Sequence, residues 1–133
     1  MTQYNKPLPE ITLLTQPFWQ GAKEHQLRLQ RCDDCGAFRF TPKEVCPRCF
    51  SVKATWTPVS GAGTVYSYST VYRGATPAFQ APYIVVMVEL AEGPHIMSHL
   101  VDCPPDRVQI GMPVQVFFED VTPEVTLYKF RLA

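Results

Sequence analysis

The chain has 133 residues, 46% hydrophobic and 12% aromatic, with 12 basic and 12 acidic side chains and a formal charge of zero. That is enough apolar surface for one modest core, which excludes disorder as the default, and no apolar run approaches the ~20 residues of a membrane span. Charged residues make up only 18%, against about 25% in typical soluble domains, so part of the surface is expected to lie under a partner.

Residues 1–15 are polar and proline-punctuated, ending in the apolar Ile11, Leu13 and Leu14, and read as an arm that docks on the body or on another subunit. The opening MTQYNKPLPEIT lacks a basic stretch followed by an apolar run, so the expected compartment is the reducing cytoplasm. Thr15 is placed to cap a short helix with Pro17 in its first turn. Phe18, Trp19 and Ala22 then share a face, and the two aromatics are candidate docking residues. By Leu27 and Leu29 the apolar period has changed to two, the mark of a strand, and Phe38 and Phe40 repeat it.

Between those strands stands the strongest chemical signal, CDDCGAFRFTPKEVCPRC. Cys32 and Cys35 form one C-x-x-C pair, Cys46 and Cys49 a second, and the segment between them is short enough to fold back and bring four sulfurs together. Four thiolates suit tetrahedral zinc, and a closed four-sulfur shell leaves no position for water or substrate, so the metal is expected to be structural. Iron is the chemical alternative, because the same ligands hold it. Gly36 serves the first knuckle turn, whereas Phe50 stands where many second knuckles have glycine.

Thr55 to Val59 reads as a further strand, and SGAG at 60–63 as a flexible turn and domain seam. Five strands follow: TVYSYSTVY, YIVVMVEL, HIMSHLV, PVQVFFEDV and VTLYKFRL. Ala91 to Pro94 is a hairpin turn. The predicted fold is therefore mostly β: arm and helix over 1–25, a rubredoxin-like zinc ribbon over 26–59, and a five-stranded antiparallel OB-type barrel over 60–133. Tyr66, Tyr68 and Tyr72 alternate along the first barrel strand, as stacking, core or interface residues would.

Ribbons and OB barrels often bind single-stranded nucleic acid, which makes that the alternative function. Charge opposes it. Residues 23–53 carry seven basic and four acidic residues, about plus one once a zinc with four thiolates is counted, and the barrel carries four basic and seven acidic, minus three. No nucleic-acid and no membrane partner is expected. Catalysis by the chain alone is poorly provided for as well. Cys103 and His99 make a weak nucleophile pairing, the histidines show no metal spacing, and neither a G-x-S-x-G nor a phosphate loop is present, so no catalytic residue is assigned.

The ordered combination of FWQGAKEHQLRLQRCDDCG, CPRC, WTPVSGAGTVYSYSTV, APYIVVMVELAEG, IGMPVQVFF and LYKFRL, from Pro17 to Leu132, resembles the zinc-ribbon plus OB-fold proteins that accompany thiolases. The resemblance implies a small non-catalytic subunit of an acyl-CoA enzyme, with the partner supplying the nucleophilic cysteine and the OB domain lying near the coenzyme A channel. Related domains occur with hydratases or aldolases. In that setting the loop between the first two barrel strands, with Tyr72, Arg73, Phe79, Pro82 and Tyr83, is where contact with coenzyme A or acyl-CoA is expected: Arg73 for a phosphate, the aromatics for pantetheine or acyl groups.

Overall fold

The computed structural model describes residues 6–74, 77 and 80–133. Among the described residues one helix, α1 (Gln16–Lys23), precedes eight strands: β1 (Arg28–Cys32), β2 (Phe38–Arg39), β3 (Ala54–Pro58), β4 (Ala62–Val71), β5 (Tyr83–Leu90), β6 (His95–Leu100), β7 (Pro113–Asp120) and β8 (Thr126–Leu132). The first three form an antiparallel sheet in the order β2-β1-β3, and the other five close into a barrel in the order β4-β5-β6-β8-β7.

The helix starts where Thr15 and Pro17 place it, but the Thr15 hydroxyl does not cap it. That oxygen instead accepts the Thr12 N–H at 2.9 Å, and the Thr15 N–H donates to Thr12 Oγ1 at 3.2 Å, a turn that competes with capping. Phe18 also departs from expectation. It is 4% exposed, packed against Trp19, Phe40 and Tyr128 at ring separations of 5.0, 5.9 and 5.4 Å, so it belongs to the core and not to a docking surface. A short helix buries a large aromatic here because β1, β7 and β8 all lie against it. One apolar core runs from Phe18, Leu27 and Leu29 into the barrel interior of Val65, Val86, Val88, Ile96 and Phe130.

SGAG is a close approach and not a flexible turn. Ala62 and Gly63 pair with β7 and Gly63 also with β5, and Gly61 is buried at φ +75°, where a Cβ would stand 2.1 Å from Val116 Cγ1. The tyrosine alternation is interrupted as well: a bulge between Val65 and Ser67 shifts the register, β4 ends before Tyr72, and Tyr66, Tyr68 and Tyr72 are 53%, 42% and 75% exposed. The barrel is mixed and not wholly antiparallel. It closes through a parallel contact of Leu100 in β6 with Phe130 in β8. Where those strands splay, side chains replace ladder bonds: Ser98 Oγ donates to the Tyr128 carbonyl at 2.8 Å, and the Tyr128 hydroxyl donates to the Met97 carbonyl at 3.2 Å.

Candidate functional site

The four ribbon cysteines converge, with their Sγ atoms all within 4.8 Å of one another, Cys32 to Cys49 at 3.5 Å and Cys35 to Cys46 at 3.7 Å. A tetrahedron with Zn–S bonds of about 2.3 Å has edges of about 3.8 Å, so the donor set fits one zinc ion. The two knuckles are built alike. Gly36 N–H donates to the Cys32 carbonyl and Phe50 N–H to the Cys46 carbonyl, each at 2.9 Å, while the Cys32 and Cys46 N–H groups bond Ala37 and Ser51 at 2.8 Å. The residue after each pair has a left-handed backbone, Gly36 at φ +77° and Phe50 at φ +66°. Glycine takes that conformation freely, whereas a side chain there costs roughly 1–2 kcal/mol.

The Cys35 N–H, ahead of the opposing effect of burial, brings the Cys32 thiol down to about 6. The Cys49 N–H lowers Cys46 in the matching way. Cys49 is pushed up to about 12, since the pull of the Ser51 N–H is outweighed by the Cys32 sulfur, burial and the two remaining sulfurs. Crowded thiolates of this kind call for a compensating cation.

Sequence reasoning passed over Arg39, which is 2% exposed beneath the second knuckle. Its guanidinium donates to the carbonyls of Lys43, Ser51 and Lys53 at 3.0, 3.3 and 3.5 Å. Gln30, buried despite being polar, accepts the Lys43 N–H at 2.7 Å. These two side chains hold the irregular stretch around Cys46 and Cys49 onto the β1–β2 hairpin. An arginine in an exposed-looking F-R-F alternation gives no sequence sign of that work.

The second feature is the outer face of the barrel. A cleft of about 220 Å³ lies over the splayed β6–β8 seam, lined by Trp19, Met97, Ser98, His99, Leu127, Tyr128 and Lys129. A second hollow of about 200 Å³, between Ser67, Ser69, Val85 and Met87, shares Met97 with it. Met97 is 54% exposed and pairs across strands with Met87. Lys129, the cation of the cleft, is bound to Glu119 at 2.6 Å. Burial, then Lys129 and Lys6, holds His99 below its usual range, and burial pushes the Tyr128 hydroxyl up to about 12. The period-two pattern of HIMSHL, with His95, Met97 and His99 on one side, was the available signal for this face.

Of the loop residues expected to meet coenzyme A, Tyr72, Arg73 and Pro82 are exposed and Phe79 lies outside the described residues. Tyr83 opens β5 opposite Val71, and its ring lies 5.1 Å from that of His99, so the loop adjoins the cleft. Cys103 is half-buried against the core, its thiol donating to the Pro104 carbonyl at 3.5 Å.

A four-thiol ribbon followed by a closed barrel, with one helix packed against both, defines a zinc-ribbon plus OB-fold protein. Residues 19–52 match the family described as ChsH2, rubredoxin-like zinc ribbon domain, and residues 56–119 match ChsH2, C-terminal OB-fold domain. The chain belongs to this ChsH2, or DUF35, family. A DUF35 domain-containing scaffold protein of Methanocaldococcus jannaschii is 38% identical over 121 residues, covering 85% of each chain. A probable enoyl-CoA hydratase alpha subunit of Thermomonospora curvata is 38% identical over 96% of this chain, which spans only 40% of that longer protein. The benzoylsuccinyl-CoA thiolase subunit BbsA of Geobacter metallireducens is 35% identical over 69% of this chain and 64% of its own. A solved structure described as Ltp2-ChsH2(DUF35) aldolase superposes with a TM-score of 0.85 at 38% identity, covering 94% of this chain and 98% of that one. Among the described residues no helix is long and apolar enough to cross a membrane.

Proposed function

We propose that this chain is a non-catalytic accessory subunit of a thiolase-like acyl-CoA enzyme, which holds its partner and helps to form the coenzyme A channel. The observation that carries the reading is the nature of the outer barrel face: an apolar strip centred on half-exposed Met97, with its one lysine neutralised, is suited to contact and offers no nucleophile. The relatives supply the class, since a scaffold protein and a thiolase subunit are similar in sequence and an aldolase component is similar in sequence and fold. The cysteines Cys32, Cys35, Cys46 and Cys49 would hold a structural zinc, which stabilises the ribbon and takes no part in chemistry. Tyr72, Arg73, Phe79, Pro82 and Tyr83 would border the acyl-CoA path beside the cleft, with Arg73 serving a phosphate and Tyr83 an apolar arm.

Co-expression with a thiolase-like partner chain, followed by size exclusion and an acyl-CoA carbon–carbon cleavage assay on separate and combined proteins, tests this. A stable complex whose activity needs both chains, weakened by Met97→Glu, is the expected result. Full activity of the partner without this chain, or turnover by this chain alone, would overturn it.

A further inference from the structure

The four ribbon cysteines are not equivalent. Cys32 and Cys46 are buried, at 2% and 0% exposure, whereas Cys35 and Cys49, the second member of each pair, face solvent. Each exposed sulfur also stands against a buried one of the opposite knuckle, Cys49 against Cys32 at 3.5 Å and Cys35 against Cys46 at 3.7 Å. That is the arrangement of an attacking thiolate with a resolving thiolate beside it, made twice. The knuckles are also tied to each other without help from a metal. Asp34 accepts the Ser51 hydroxyl, Asp33 accepts the Thr55 hydroxyl at 2.7 Å, and the Asp33 N–H donates to the Lys53 carbonyl at 3.1 Å. Arg39 adds its bonds to the Ser51 and Lys53 carbonyls, so hydrogen bonds hold the two knuckles together in addition to any ion they share.

We propose that the ribbon is a peroxide-sensitive site, in which Cys35 and Cys49 are oxidised first and two cross-knuckle disulfides, Cys35–Cys46 and Cys32–Cys49, replace the zinc. The inference rests on the four cysteines holding zinc and is independent of the enzyme partner. Zinc ligation keeps the sulfurs as thiolates, the form that oxidants attack, and exposure decides which of them are reached. An exposed thiolate attacks one oxygen of hydrogen peroxide, the O–O bond breaks, and a sulfenic acid forms as hydroxide leaves. The buried thiolate then attacks that sulfur, forms the S–S bond and expels a second hydroxide. Two protons from solvent convert the hydroxides to water, so each disulfide gives two electrons to one peroxide. Sulfurs bonded in this way no longer ligate, and the ribbon releases its ion while the Asp33, Asp34 and Arg39 hydrogen bonds keep the knuckles in register for reduction.

The test uses the full chain, first shown by elemental analysis to carry zinc, and treats it with two equivalents of hydrogen peroxide. Transfer of the metal to a chromogenic chelator and peptide mapping without reduction are the readouts. Complete loss of bound zinc together with both cross-knuckle disulfides is expected. Dimedone, which traps sulfenic acids, should mark Cys35 and Cys49 and not Cys32 or Cys46, and dithiothreitol with added zinc should restore the bound ion. Cys103→Ser, which changes the one cysteine outside the ribbon, should behave like the unaltered chain. Retention of zinc, disulfides within the C-x-x-C pairs, sulfonic acids that dithiothreitol does not reverse, or a requirement for Cys103 would each overturn the proposal while leaving zinc ligation intact. Protein that carries no zinc as purified would overturn both.

Discussion

His25, in the turn that ends α1, places its Nε2 3.1 Å from Asp120 Oδ1 at the end of β7 and stacks its ring on Phe118 at 5.6 Å. The pair fastens the helix C-terminus to the rim of the barrel, 95 residues away in sequence.

Thr126, through a 2.6 Å hydrogen bond, and then His25 hold the Asp120 carboxyl below its ordinary value of 3.8. A depressed carboxylate contributes stability that is present above the ordinary value and is lost as pH falls through the folded one. The melting temperature should therefore drop below about pH 4, and Asp120→Asn should make that acid limb shallower. Thermal melts of both proteins from neutral to acid pH provide the check, and parallel limbs would refute it.

One zinc per chain is expected from elemental analysis of protein purified without chelator. Cys46 is fully buried, so Cys46→Ser should abolish stoichiometric metal and melt the ribbon. Structural zinc supplies roughly 10–16 kcal/mol of apparent folding energy in isolated fingers. Circular dichroism should show barrel strands surviving, since their pairing does not involve the ribbon sheet.

Gly61→Ala and Gly93→Ala separate crowding from backbone preference. Both glycines have positive φ, but a Cβ at Gly61 meets Val116 Cγ1 at 2.1 Å, while one at Gly93 meets nothing within 4 Å. The first should cost about 3 kcal/mol or more and the second about 1–2 kcal/mol, read by urea denaturation. Equal losses would show that β4 and β7 move apart without penalty.

Phe130 is fully buried at the parallel contact that closes the barrel. Phe130→Ala should cost about 3–5 kcal/mol through the cavity it leaves. A loss below that range in the same denaturation assay would mean that the β6–β8 seam collapses around it.

Single-stranded oligonucleotides should bind weakly or not at all at physiological salt, because the barrel has seven acidic residues against four basic. Tight binding with a steep salt dependence in a fluorescence titration would contradict the present reading of the outer face.

What the sequence determined by itself is what depends on near neighbours. The two C-x-x-C pairs announced a four-sulfur cluster because ligand convergence there needs only two tight turns, and the period-two runs announced strands because alternation is a property of one extended backbone. Pairing across the chain was left to the tertiary structure. Phe18 turned inward because two strands distant in sequence, β7 and β8, pack on its helix together with β1, and SGAG became a close approach because Val116 lies against Gly61. A bulge at Tyr66 undid the tyrosine face, since one extra residue reverses every side chain after it. Arg39 and the Leu100–Phe130 closure likewise follow from which carbonyls and strands meet in space. Those meetings are fixed by the burial of one shared core, a quantity summed over the whole chain that no local window contains.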